Sequence, residues 1–111
     1  MTSLANEIYK HLRKTLTSKN SITYGELAKA VKSHHRSPAL HAALTEITNT
    51  CREHELPLIP AIVWSSTTNR PGDGYYKVAH PRVRTDESRI AAWEKEHAAV
   101  IRDATKFPTS L

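Results

Sequence analysis

The side chains best suited to chemistry fall into three clusters. Lys32-Ser33-His34-His35-Arg36 puts four potential cations into five positions. It leads directly into Ser37-Pro38, where serine as cap and proline with its missing donor can open a helix. Cations feeding a helix start suit phosphate, and about two to three phosphates would fit such a loop, each adding roughly one unit of salt dependence. The plain alternative is a solvated turn. In the second cluster, Thr45, Thr48, Asn49 and Arg52 lie off the apolar stripe of the helix that follows. Asn and Arg pair with base edges, and Thr reaches phosphate or a thymine methyl. Glu46, Glu53 and Glu55 make the same helix net acidic, so a solvated face is the competing reading. If this helix binds, its first turns at Ser37, His41 and Thr45 lead. The third cluster is Arg70 in a Thr-Asn-Arg-Pro-Gly loop, with Lys77, Arg82 and Arg84 beyond it.

Seven histidines also raise an enzymatic reading. His34, His35, His41 and His80 offer an acid and a base for RNA cleavage, with Lys77 or Arg82 to stabilise the phosphorane. No spacing among them is diagnostic, and adjacent loop histidines seldom face one target. His-His without a spaced carboxylate fits no standard metal template. The expectation is therefore no catalytic residue, no metal and no cofactor.

The elements that position these groups follow from period and capping. Leu4, Ile8, Leu12 and Leu16 draw an i, i+4 stripe on a first helix capped by Thr2 or Ser3, and Thr17 to Ser21 breaks it. Thr23 three residues before Glu26 is a capping box, predicting a short helix over 24–31 with Leu27, Ala28 and Val31 inward. Leu40, Ala43, Leu44, Ile47 and Cys51 predict a third helix running to about His54. Leu58 to Trp64 reads as a strand with Pro60 near its start, and Gly74 to Val78 as a return strand. On that strand Tyr75 and Tyr76 cannot both face inward, so one is expected in solvent. A last helix starts at Thr85 and carries Ile90, Trp93, His97, Val100, Ala104 and Phe107 as a narrow seam. Such a seam packs on the parent domain or on a second copy. The expected fold is α+β, mainly helical: a winged helix-turn-helix of three helices, a small β-hairpin wing and a C-terminal helix. It forms a single domain over 1–111, with a core at 20–84 and the last helix at 85–107.

Composition agrees. The chain has 111 residues, 39% hydrophobic and 24% charged, a globular balance. No apolar run approaches the ~20 residues of a membrane span, and Met1-Thr2-Ser3-Leu4 has no signal-peptide core. A lone Cys51 makes neither an internal disulfide nor a thiolate zinc site. A cytoplasmic protein is the expectation. The net charge of +5 is uneven: residues 1–36 hold +5, 37–64 hold −2, 65–84 hold +3 and 85–111 hold −1. Two basic blocks around an acidic one predict a cationic face, as polyanion binders have.

The stretch Ile22-Thr23-Tyr24-Gly25-Glu26-Leu27-Ala28 resembles the opening of the DNA-binding domain of O6-alkylguanine-DNA alkyltransferases and alkyltransferase-like proteins. The resemblance continues through Ser37-Pro38-Ala39-Leu40-His41-Ala42-Ala43-Leu44, through Leu56-Pro57-Leu58-Ile59-Pro60, and into the glycine turn before Tyr75-Tyr76, covering roughly residues 20–78. It implies a winged helix-turn-helix that binds the minor groove with its second motif helix, flips a base, and supports it with a tyrosine, here Tyr24, and an arginine finger. The departures are specific. Where the family carries Pro-Cys-His-Arg, this chain has Pro60-Ala61-Ile62-Val63, so alkyl transfer to that position is ruled out. The arginine finger's place falls near Pro38, with Arg36 two residues early, and His41 stands where the family has glycine.

The combined expectation is a non-catalytic nucleic-acid-binding protein, a lesion or structure sensor or a regulator, on double-stranded DNA. Lys32, His34, His35, Arg36, Arg70 and Lys77 would hold the backbone, with His41, Thr45, Thr48 and Asn49 near the bases. One alternative is a protein-interaction domain, such as a phage or toxin-system inhibitor or regulator, that dimerises or docks through the 90–107 helix. The other is the ribonuclease above.

Overall fold

A computed structural model describes all of residues 1–111. The chain runs α1 (Ser3–Thr15), β1 (Ile22–Thr23), α2 (Tyr24–Ala30), α3 (Pro38–Glu53), a 3-10 turn (Ile59–Ile62), β2 (Val63–Trp64), α4 (Asp73–Ala79) and α5 (Asp86–Arg102). It is a mainly helical α+β fold with one two-stranded parallel sheet. No helix is long and apolar enough to cross a membrane.

The capped helices form where local chemistry dictates. Thr2 accepts a hydrogen bond from the Ala5 amide and starts α1. Ala5, Ile8, Tyr9, Leu12 and Thr15 are buried along it, while Leu4 and Leu16 are only partly covered. The physical reason is drift: a strict i, i+4 series advances about 40° per step, so its ends rotate off the packed face. At α2 the capping box is complete, with Glu26 N donating to Thr23 Oγ1 and Thr23 N donating to Glu26 Oε1, both at 3.1 Å. Such a cap contributes about 1 kcal/mol. α3 buries Leu40, Ala43, Leu44, Ile47 and Cys51, as its pattern predicts, and also Thr48.

The two predicted strands require correction. Leu58 to Trp64 is a 3-10 turn followed by two extended residues, because Pro60 lacks the amide a strand needs and its fixed φ suits a tight turn. Leu58 to Val63 are all buried, and a short apolar run has no period to reveal its geometry. The partner of β2 is β1, parallel, with Ile22 opposite Val63 and Thr23 opposite Trp64. Gly74 to Val78 is helix α4, not a return strand. Tyr75, Tyr76 and Ala79 are all buried there, since neighbours on a helix diverge by only about 100° and can share one broad face. The expectation that one tyrosine is exposed therefore fails. The hairpin assigned to a wing is not formed between these segments; a single antiparallel bridge, Ser65 to Arg70, closes the loop between β2 and α4.

α5 starts at the predicted cap, with Thr85 accepting from the Ser88 amide. Its seam is spent inside the domain. Trp93 and Val100 are buried, as is Phe107 beyond the helix end, and Trp93 Nε1 donates to the Ala61 carbonyl at 2.9 Å. No large hydrophobic side chain is exposed. The buried part of the 90–107 seam packs on the parent domain, one of the two placements its spacing predicts.

Candidate functional site

A cavity of about 190 Å³ opens where α2, the first half of α3, β2 and α4 meet. Its apolar walls come from Leu44, Pro60, Val63 and Val78, and its aromatic walls from Tyr24 and Tyr75. That volume is below the roughly 300 Å³ at which drug-sized sites begin, so it admits only a small group.

Two tyrosines build the walls. Tyr24 opens α2, and its hydroxyl accepts from the Gly72 amide at 3.0 Å, pinning the start of α4 to α2. Burial raises the Tyr24 pKa, so it stays a neutral phenol. On α4, Tyr75 lies 2.9 Å through its hydroxyl from His80 Nε2. Burial lowers the His80 pKa and raises that of Tyr75, so both groups are neutral and share one hydrogen bond. Asp73 lines the rim, 3.6 Å from Arg89 Nη1, and an acidic rim disfavours entry of phosphate.

The basic loop adjoins this cavity through α3. His41 faces the cavity with its ring 5.7 Å from that of Tyr24, and its Nε2 lies 3.0 Å from the His35 carbonyl. A carbonyl only accepts, so Nε2 carries the proton. In the loop, His34 and His35 stack at 4.5 Å, and His34 Nδ1 accepts from the Arg36 amide at 3.1 Å. Lys32, His34, His35 and Arg36 are all exposed, and neither Lys32 nor Arg36 is in an ion pair. Lys32 adopts φ 54°, the left-handed region, and ends α2 as Ser33 N reaches back to the Ala28 carbonyl at 2.7 Å. Ser37 caps α3 by backbone position alone, with no side-chain cap bond.

Other expected site residues are placed differently. Thr45 is half-buried on the cavity wall and, unlike Thr48 and Thr50, returns no hydrogen bond to the preceding turn. Thr48 also lines the cavity, but it is 3% exposed and its hydroxyl goes to the Leu44 carbonyl. It cannot reach out to a base edge. Asn49 is committed too: its Oδ1 accepts from Arg52 Nη1 at 3.1 Å. Arg52 Nη2 in turn donates to the Val78 and Ala79 carbonyls at 2.9 and 3.2 Å. Arg52 thus clamps α3 to the end of α4, while Asn49 remains exposed beside it. Arg70 is half-buried, makes no ion pair, and lines a cleft next to the cavity that shares Gly72 and Asp73 with it. Lys77 is exposed on α4 outside the cavity wall.

The four histidines of the cleavage reading are split between the stacked loop pair, one on α3, and one tied to Tyr75. No three His, Cys, Asp or Glu side chains converge as metal ligands. Cys51 is fully buried, and burial pushes its thiol up to about 11, far from a thiolate at neutral pH. Ala61 is fully buried as well.

Reading the residues one by one missed Asp73 and Val78 of the α4 wall. A signal was present in Gly72-Asp73, a helix cap followed by an acid in the first turn, but the glycines beside it read as turn chemistry. Comparison of the chain with protein-family models, with curated proteins and with solved structures finds no match.

Proposed function

We propose that this protein binds nucleic acid, double-stranded DNA above all, in the manner of an alkyltransferase-like winged helix-turn-helix, without covalent chemistry. One observation carries the reading. The exposed cations Lys32 and Arg36 connect, through the His35–His41 hydrogen bond and the Tyr24–His41 ring contact, to a small aromatic-walled cavity. In this reading Lys32, Arg36 and Ser37 hold phosphates at the start of α3, while His41 and Thr45 lie nearest the bases. The cavity takes a single unstacked base between Tyr24 and Tyr75, as base-extruding proteins house theirs. Arg70 and Lys77 extend the backbone contact, and the Ser65 to Arg70 loop stands in the place of a wing. With alanine at position 61 and a protonated, buried Cys51, the bound base is held and not altered. The sensing or regulatory role follows from that.

The test is fluorescence anisotropy on a short duplex across a series of salt concentrations. Replacing Lys32 and Arg36 with alanine should weaken binding and lower the salt slope by about two. A duplex carrying one mismatched pair should bind more tightly, because an unpaired base costs less to extrude. Binding indifferent to Lys32→Ala/Arg36→Ala overturns the proposal.

A further inference from the structure

A second cationic face lies away from the loop and the cavity. α1 buries Ala5, Ile8, Tyr9, Leu12 and Thr15, which turns Lys10 and Lys14, one helical turn apart, into solvent. Lys19, past the end of the helix, is also exposed. Between the end of α1 and the first turn of α2 is a cleft of about 310 Å³, lined by His11, Lys14, Ser18, Lys19 and Glu26, with the Lys19 charge helping to lower the Glu26 pKa after the Thr23 hydrogen bonds. None of the three lysines is in an ion pair. The Glu26 carboxylate is held by the Thr23 amide in the capping box. Helix polarity favours cations in a last turn, which accounts for Arg13 and Lys14. It does not account for Lys10, a turn earlier, or for Lys19.

The placement of α1 separates this face from the first. His41, Thr45 and Thr48 of α3 line the cavity. Glu46, on the same helix, instead accepts from the Thr2 amide at 2.7 Å and lies 3.8 Å from the chain's first nitrogen. At about 100° per residue, Glu46 projects from nearly the opposite side of α3. α1 therefore packs behind α3, and its lysines face outward from there.

We infer that Lys10, Lys14 and Lys19 form a second surface for a nucleic-acid backbone, so that one copy of the protein holds two nucleic-acid segments at once. The two-segment part rests on the nucleic-acid reading of the loop face. Charge complementarity and the absence of an apolar anchor choose the occupant. Protein partners are gripped by buried aromatic or aliphatic anchors, and this face, which also carries the carboxylates of Glu7 and Glu26, has no exposed large hydrophobic side chain. Phosphate backbones need only the cations, because counterion release supplies the affinity.

Beads carrying one duplex are loaded with protein, washed, and offered a second, fluorescent duplex. Wild-type protein should capture it. A Lys10→Gln/Lys14→Gln/Lys19→Gln variant, with an unchanged circular dichroism spectrum, should stay on the beads and capture at least tenfold less. Equal capture by that variant overturns the inference and points to bridging by two copies through their loop faces. Wild-type protein that binds the beads but captures nothing overturns the inference alone. Wild-type protein that does not bind the beads overturns the loop-face reading as well. Capture of fluorescent polyglutamate in place of the second duplex overturns the inference in favour of an acidic protein.

Discussion

The packing around the 3-10 turn and the loop face between α2 and α3 treat polar groups in opposite ways. Around the turn, the buried polar side chains have partners inside the molecule. The Ala61 carbonyl accepts from both Trp64 and Trp93, and Glu96 accepts from the Leu58 amide at 2.9 Å. No buried side-chain polar atom is left without a bond. On the loop face the Ser37 hydroxyl makes no cap bond, Lys32 and Arg36 have no acidic partner, and Lys32 holds a backbone conformation that favours glycine. Local rules are kept around the turn and relaxed on the loop face, where the ligand proposed above would supply the missing partners.

The largest break of this contrast is Trp93→Ala. It removes a large side chain from the packed region and should cost about 3 to 5 kcal/mol in urea unfolding. DNA affinity should survive under conditions where the variant remains folded. Arg52→Ala comes next. It frees the last carbonyls of α4 and should cost about 1 to 2 kcal/mol, with amide hydrogen exchange rising first in residues 73–79.

A matched pair sharpens the comparison. Lys32 and Glu55 both adopt left-handed φ, 54° and 56°, just past α2 and α3. Replacing either with glycine should raise stability by up to about 1 kcal/mol, read from thermal unfolding, because glycine meets no steric penalty there. Only Lys32→Gly should weaken DNA binding. Equal binding by both variants would mean that the Lys32 backbone strain has no connection with a ligand.

The smallest effect is one of pH. The His80 pKa is lowered by burial, and also by the nearby Arg52 charge against the opposing pull of Glu96. The folded state therefore binds fewer protons than the unfolded one. This contribution is complete above the ordinary value of 6.5 and is lost as pH falls through the lowered folded value. His80→Gln should flatten the decline in stability below about pH 6.5 in a denaturation series.

The four longer or well-capped helices are legible in the chain because their information is local. Thr23 and Glu26 meet across a single turn, Pro38 and Thr85 open helices by their own chemistry, and the α3 stripe from Leu40 to Cys51 repeats at helical spacing. The basic loop could likewise be read directly from Lys32 to Arg36. What only the tertiary structure decided is the conformation of 58–64 and 73–79, the pairing of Ile22 with Val63, and the cavity that these elements enclose. A buried apolar run carries no period, and tyrosines favour a strand until a helix buries both. A parallel pair must find its partner some forty residues away, where no neighbouring residue records it. The commitment of Asn49 and Thr48 followed from the same cause, since each partner exists only once the chain has packed.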